Sequence, residues 1–271
     1  MPTMETRKRR ILYQFPISHF CEKIRWVLDA KGLAYETKNL APALHRRFLR
    51  PLGGKTLPAM HDGDTFLPDS REIALYLERV YPSPSLLPPD EAERARAIAL
   101  ADYFDAIGAD VRLYAYSYIL EDGAAFDRVF FKGYGALTRL LGRIANKRIR
   151  GRIKTMYRIN PESQAQALAK VLEGAERLER EIGGDPTRYL VGDALSLADI
   201  TAASLFAPLV RPAGSPYDAN GEGAKVLSEL SGALRERPIG KWVLERYSKD
   251  RRGAAQQRAG AARAGGTQAE V

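Results

Sequence analysis

The chain has a single cysteine, Cys21, among its 271 residues. One cysteine excludes an intrachain disulfide, and it also excludes a metal site built from a cysteine cluster. The three histidines, His19, His45 and His61, stand in unrelated contexts and lack the spacing of metal ligands. We therefore expect no bound metal.

Long apolar runs are also absent from the sequence. No uninterrupted apolar stretch approaches the roughly 20 residues that a bilayer-spanning helix needs. The basic start of the chain, MPTMETRKRR, is not followed by the apolar core of a secretory signal. The content of 45% hydrophobic and 28% charged residues is typical of globular proteins, and we expect a cytoplasmic location.

A net charge of +9 is the strongest bias in the composition. Much of the excess lies near the start and between Arg139 and Arg158, a stretch with eight basic residues, no acidic residue and regularly placed apolar residues. Such a helix suits an anionic membrane surface, or it is a solvated face whose apolar side packs on its own domain. We favour the second interpretation, and we expect no nucleic-acid partner.

The hydrophobic pattern divides the chain into two regimes. Residues 10–80 predict a small α/β domain with the order β-α-β followed by β-β-α, in which Asp62-Gly63-Asp64 forms a hairpin turn. Residues 81–90 contain four prolines and predict a linker. Residues 91–250 have helical periodicity almost throughout, and residues 251–271 carry too few large apolar groups to fold.

The segment that begins at Ile11 carries the chemistry. A short apolar strand meets Pro16, and Ser18 and Cys21 then open a segment with helical periodicity. Backbone N–H groups at a helix start lack intrahelical partners, and the helix dipole makes that end positive. An anion such as a thiolate is therefore stabilised at this position.

Four motifs, in this order, resemble the cytosolic glutathione transferase family, which has a thioredoxin-like N-terminal domain followed by an all-helical domain. The resemblance covers roughly residues 10 to 250 and rests on these segments: Ser18-x-x-Cys21, in which a serine replaces the first cysteine of a C-x-x-C pair; Gly54-Lys55-Thr56-Leu57-Pro58-Ala59, similar to a segment with a cis-proline; Asp69-Ser70 at a helix start; and Leu190-Val191-Gly192-Asp193 followed by Ser196-Leu197-Ala198-Asp199-Ile200, similar to a buried capping box.

The resemblance implies glutathione as co-substrate and a homodimer as the assembly. It implies that the backbone of Leu57, before Pro58, pairs with the cysteinyl part of glutathione, and that Asp69 and Ser70 hold the γ-glutamyl part. Lys55 would meet the glycyl carboxylate. Three arginines compete for that last role: Arg46, Arg47 and Arg50.

Ser18 aligns with the serine or cysteine that handles the glutathione sulfur in family members of this type. Its hydroxyl would donate a hydrogen bond to the thiolate and so lower the thiol pKa from about 8.5. Members with a tyrosine carry it immediately before a Phe-Pro pair, but Gln14 occupies that place here. Tyr13 is one residue earlier, which sends its side chain to the opposite face of the strand, so we expect it in the core.

Two other residues near the helix start are secondary candidates. Cys21 is either a buried apolar residue, which we favour, or a nucleophile that forms a mixed disulfide with glutathione. His19 either lines the sulfur pocket or donates to substrate. A further set of tyrosines on the first long helix offers a wall for an electrophile, although their spacing requires some to be packing residues: Tyr103, Tyr114, Tyr116 and Tyr118.

The hypothesis that follows is a glutathione-dependent transferase, in which Ser18 stabilises the thiolate and a hydrophobic electrophile docks against the helical domain. One alternative is a glutathione-dependent thiol-disulfide oxidoreductase or peroxidase that uses Cys21. Another is a non-catalytic binding protein on the same fold, since fold does not imply function.

Overall fold

The computed structural model describes residues 9–40, 45–131, 134–217 and 228–251. Its first part is a four-stranded sheet with three helices, in the order β1 (Arg10–Gln14), α1 (His19–Ala30), β2 (Glu36–Asn39), α2 (His45–Leu49), β3 (Ala59–Asp62), β4 (Thr65–Leu67) and α3 (Ser70–Val80). Seven α-helices follow among the described residues: α4 (Glu91–Ile119), α5 (Gly123–Phe130), α6 (Ala136–Tyr157), α7 (Pro161–Glu181), α8 (Leu197–Val210), α9 (Ser228–Glu236) and α10 (Pro238–Arg246). This α/β part followed by a helical part confirms the predicted fold class.

The sheet has the strand order β2-β1-β3-β4, with β1 parallel to β2 and antiparallel to β3. The predicted hairpin is confirmed because β3 and β4 pair antiparallel across a turn in which Gly63 has a φ of +61°. A residue with a side chain rarely adopts that backbone conformation, whereas glycine does so without steric cost. The apolar sides of α1 and α3 pack together and against the sheet.

Two short helices were missed by the sequence analysis. Helix α2 has no counterpart in the predicted order of elements, and its five residues are too few to show helical periodicity. Helix α5 had local signals, because Asp122 caps it by accepting hydrogen bonds from the N–H groups of Ala124 and Ala125 at 2.8 and 3.1 Å. Phe126 and Phe130, four residues apart, supply its apolar face.

Helix α8 is the centre of the helical part, because every one of its residues is buried. It packs against α1, α4 and α10. The predicted capping box begins it: the Ser196 hydroxyl accepts from the Asp199 N–H at 3.5 Å, and the Asp199 carboxylate accepts from the Ser196 N–H at 2.9 Å. Asp199 also accepts from the Leu190 N–H at 2.8 Å, which ties the preceding loop to the helix.

The expectation for the basic segment was wrong in part. Helix α6 forms as predicted, but only Gly142 and Ile153 are buried along it. Apolar residues in its first half face solvent, with Leu137 69% and Ile144 76% exposed. We name this set the α6 apolar row: Leu137, Leu140, Leu141 and Ile144. The first half of the helix therefore presents apolar surface instead of packing it on its own domain.

The chain between α3 and α4 has no regular element, and it includes a cis peptide bond between Ser83 and Pro84. The C-terminal stretch, which we expected to be unstructured, was predicted to begin at Arg251. That residue instead ends the last helical turn and pairs with Glu22 at 2.8 Å and Asp29 at 2.7 Å. Residues 252–271 lie outside the described residues.

Candidate active site

Ser18 begins α1, at the turn where the chain leaves the sheet. Its N–H donates to the Phe15 carbonyl at 2.9 Å, and its hydroxyl accepts from the Cys21 N–H at 3.4 Å. The N-cap position confirms the predicted helix start. A serine hydroxyl that accepts one bond still has its hydrogen to donate. The half-buried Ser18 side chain thus offers a donor at the positive end of the helix dipole.

Cys21 points into the protein. Its side chain is fully buried, and burial raises the pKa of the Cys21 thiol above its usual value, although Arg25 and Ser18 act in the opposite direction. A raised pKa keeps the thiol protonated near neutral pH, and the thiolate is the reactive form. The surroundings of Cys21 are those of a packed residue.

His19 lies beside Ser18 in sequence but turns toward the helical part. Its Nε2 donates to the Gly108 carbonyl of α4 across 2.9 Å, since that oxygen can only accept. Burial, together with the nearby positive charge of Arg112, lowers the pKa of His19 to about 3. The imidazole is therefore neutral and tied to α4, and it is not part of the cleft surface.

The peptide bond between Leu57 and Pro58 is cis, as the resemblance to the glutathione transferase family predicted. The segment leads directly into β3, where Ala59 pairs with Tyr13 of β1. Tyr13 is buried as expected, and its hydroxyl lies 3.1 Å from Nδ1 of His61. The expectation that Tyr13 belongs to the core is thereby confirmed.

The remaining candidates for glutathione binding lie around this segment. Asp69 caps α3 by accepting from the Arg71 N–H at 2.8 Å, and Ser70 is the first residue of that helix and is buried. Lys55 is exposed on the loop before Pro58.

An open cleft separates the α/β part from the helical part and encloses about 710 Å³, including the space at its mouth. Ser18 and Leu57 line it, and so do Arg46 and Tyr116, which were named as competing or additional candidates. The other predicted site residues do not line it: His19, Cys21, Lys55, Pro58, Asp69 and Ser70. The remaining lining residues come from both parts: Phe15, Leu40, His45 and Thr56 from the first, and Arg112, Phe130, Ile153, Met156 and Tyr157 from the second. The helical wall is mostly aromatic or aliphatic, which suits a hydrophobic ligand.

Of the four tyrosines predicted as a pocket wall, only Tyr116 lines the cleft. Tyr114 and Tyr118 contact each other through their hydroxyls, 3.2 Å apart, and both pack with the main core, as does Tyr103.

Arg112 was missed by the sequence analysis as a residue of the cleft. A sequence signal for it existed, because Arg112 precedes Tyr116 by four residues and so shares its helix face.

The comparisons with known proteins agree with this architecture. The family models described as the N-terminal and C-terminal domains of glutathione S-transferase match residues 12–85 and 161–238. Glutathione S-transferase Z1 of Arabidopsis thaliana is 32% identical over 153 residues, which span 52% of this chain and 68% of that protein. A glutathione S-transferase of Triticum aestivum is 24% identical over 241 residues, covering 89% of this chain and 95% of the relative.

A solved structure with the same fold is the glutathione S-transferase CsGST63524 of Ceriporiopsis subvermispora, determined in complex with glutathione. It covers 88% of this chain and 95% of its own with a TM-score of 0.59, at 20% identity. At that identity the likeness shows the fold.

The depressed pKa of His19 predicts acid sensitivity. The unfolded chain binds a proton at His19 near pH 6.5, whereas the folded chain binds it only near pH 3. The contribution of neutral His19 to the free energy of unfolding is therefore complete above pH 6.5 and falls as the pH drops toward 3. Between pH 7 and pH 5 we expect a loss of about 2 kcal/mol in the free energy of unfolding, measured by urea denaturation. His19→Gln keeps a hydrogen-bond donor but does not titrate, so its free energy of unfolding should depend less on pH between pH 7 and pH 5. An equally steep pH dependence in the variant would show that His19 is not the group responsible.

Proposed function

This chain belongs to the glutathione S-transferase family, and we propose that it transfers glutathione to a hydrophobic electrophile, with Ser18 stabilising the thiolate. One observation carries the proposal. Ser18 caps α1, keeps a hydroxyl hydrogen to donate and lines the cleft together with Leu57, opposite an apolar wall.

The proposed chemistry needs no general base among the side chains. The thiol of glutathione loses its proton to solvent, because the hydrogen bond from Ser18 and the positive end of α1 lower its pKa. The sulfur then attacks the electrophilic carbon, a carbon–sulfur bond forms, and the leaving group departs with its electron pair. Ser18 stays protonated throughout.

Glutathione would bind along the α/β part. In this proposal the backbone of Leu57 pairs with the cysteinyl unit, as an added strand would. Ser70 and Asp69, at the start of α3, receive the γ-glutamyl unit. For the glycyl carboxylate, Arg46 is a stronger candidate than Lys55, because Arg46 lines the cleft and Lys55 does not.

The electrophile would occupy the helical side of the cleft. Its wall there combines Tyr116 of α4, Phe130 of α5 and the end of α6. Burial raises the pKa of the Tyr116 phenol, so it remains neutral and contributes a ring face and a hydroxyl instead of a charge. A cytoplasmic location and the absence of a metal in the reaction are further parts of the proposal.

Ser18→Ala tests the central residue. Losing a hydrogen bond to a charged sulfur costs roughly 1.5–3 kcal/mol, so kcat/KM at neutral pH should fall about tenfold to hundredfold. The acid limb of the pH–rate profile with chlorodinitrobenzene should move to higher pH, and the ultraviolet absorbance of bound glutathione thiolate should titrate with it. Ser18→Thr keeps both the cap and the hydroxyl and is the control. An unchanged rate and acid limb in Ser18→Ala would refute the role.

The alternative in which Cys21 forms a mixed disulfide is disfavoured by its burial and raised pKa. We expect the intact mass of the native protein to show no glutathione adduct after incubation with oxidised glutathione. Ser18→Cys, which places a thiol at the half-buried helix start, should gain an adduct under the same conditions. Modification of Cys21 in the native wild type would support thiol-disulfide chemistry instead.

The homodimer also remains a proposal, and the α6 apolar row offers a surface on which to test it. If a second copy covers the row, Leu140→Glu with Ile144→Glu should raise the dimer dissociation constant at least tenfold, because burying each side chain contributes about 1.5–3 kcal/mol. Light scattering across a dilution series measures this, with Gln166→Glu on the exposed face of α7 as control. A monomeric wild type that co-sediments with anionic vesicles at low salt would instead indicate a membrane surface.

A further inference from the structure

Arg112 occupies an unusual position in the cleft. It lies on α4 one turn beyond Gly108, the residue whose carbonyl accepts from His19. Its guanidinium carbon is 5.5 Å from the ring centroid of Phe20 and 4.8 Å from that of Tyr157. The cation is thus held between the first turn of α1 and the end of α6, within the lining of the cleft.

Within the described part of the chain, no carboxylate forms an ion pair with Arg112, although its charge opposes the rise that burial causes in the pKa of Asp110. The two acidic residues nearest to it along α4 pair elsewhere: Asp110 with Lys170 at 3.8 Å and Asp105 with Lys23 at 2.7 Å. The Nε atom of Arg112 is buried without a hydrogen-bond partner among the described residues. Tyr116, one turn further on, does not compensate, since burial keeps its phenol protonated.

Aromatic rings alone satisfy such a cation poorly. A cation–π contact is weaker than a hydrogen-bonded ion pair, and the Nε atom of Arg112 is already removed from solvent. The surrounding charge is also one-sided, because Arg46 and Arg112 are the charged residues of the described lining and no acidic residue of the described chain lines it. A guanidinium with free N–H donors in this setting matches an oxyanion, and a carboxylate can accept from it at two points.

We propose that Arg112 forms an anion-binding subsite for the electrophile, so that the preferred substrates are hydrophobic molecules bearing a carboxylate. This inference rests on the proposed transferase function. The carboxylates of glutathione itself are the other groups that would fit a subsite at Arg112. The electrophile is favoured because Arg112 shares the helical wall with Tyr116 and Tyr157, whereas Leu57 and Arg46 stand on the wall assigned to glutathione.

Two product-like ligands that differ only in charge test the proposal: S-benzylglutathione and its para-carboxybenzyl analogue. Binding is measured by isothermal titration calorimetry on wild type, Arg112→Gln and Arg112→Lys. A hydrogen-bonded charged pair is worth roughly 1.5–3 kcal/mol, so wild type should bind the carboxylated ligand about tenfold to hundredfold more tightly. Arg112→Gln should abolish this preference while leaving S-benzylglutathione binding within about twofold, and Arg112→Lys should retain part of it.

The outcomes separate this inference from the function on which it rests. Equal affinity of wild type for both ligands overturns the subsite and leaves the transferase proposal standing. Equal weakening of both ligands and of glutathione itself in Arg112→Gln assigns Arg112 to glutathione and likewise overturns the inference. Failure of both ligands to bind wild type refutes the proposed function, whereas failure of the carboxylated ligand alone overturns only the subsite. The melting temperature of Arg112→Gln should equal or exceed that of wild type, because an unpaired cation is removed; a large fall would indicate a structural role.

Discussion

The fixed position of the first turn of α1 against α4 is the constraint on which the candidate site depends. His19 donates to the Gly108 carbonyl, and Lys23, almost fully buried, pairs with Asp105 at 2.7 Å. Gly108 permits this approach, because a Cβ there would lie 3.1 Å from the Phe20 ring and 2.9 Å from Leu205. These contacts place the hydroxyl of Ser18 across from the face of α4 that carries Arg112.

The charged side of α1 is held from the other direction by Arg251, the last of the described residues. Arg251 reaches both Glu22 and Asp29, and Arg25 pairs with Glu22 at 2.7 Å. The two arginines keep the pKa of Glu22 below its ordinary value in spite of burial, so it stays ionised. The periodicity of α1 predicts one face in solvent, but neighbouring elements cover that face as well. These contacts hold the N-terminus of α1 in a fixed position.

The two walls of the cleft differ in the chemical groups that they present. The α/β wall presents the hydroxyls of Ser18 and Thr56 and the cation of Arg46 among apolar side chains, while the helical wall presents mainly rings and the cation of Arg112. Because the walls come from different parts of the fold, substitutions on the helical wall should, under the proposed function, change the binding of the electrophile without changing the surroundings of Ser18.

Features with a fixed spacing along the chain were predicted by the sequence alone. The cap at Ser18, the glycine turn at Gly63 and the reciprocal bonds of Ser196 and Asp199 each join residues within a few positions, so their geometry is local. The inward turn of His19, the role of Arg112 in the cleft and the exposure of the α6 apolar row were decided by tertiary structure. Each depends on which distant element packs against the helix, and helical periodicity identifies a face without saying what, if anything, will cover it.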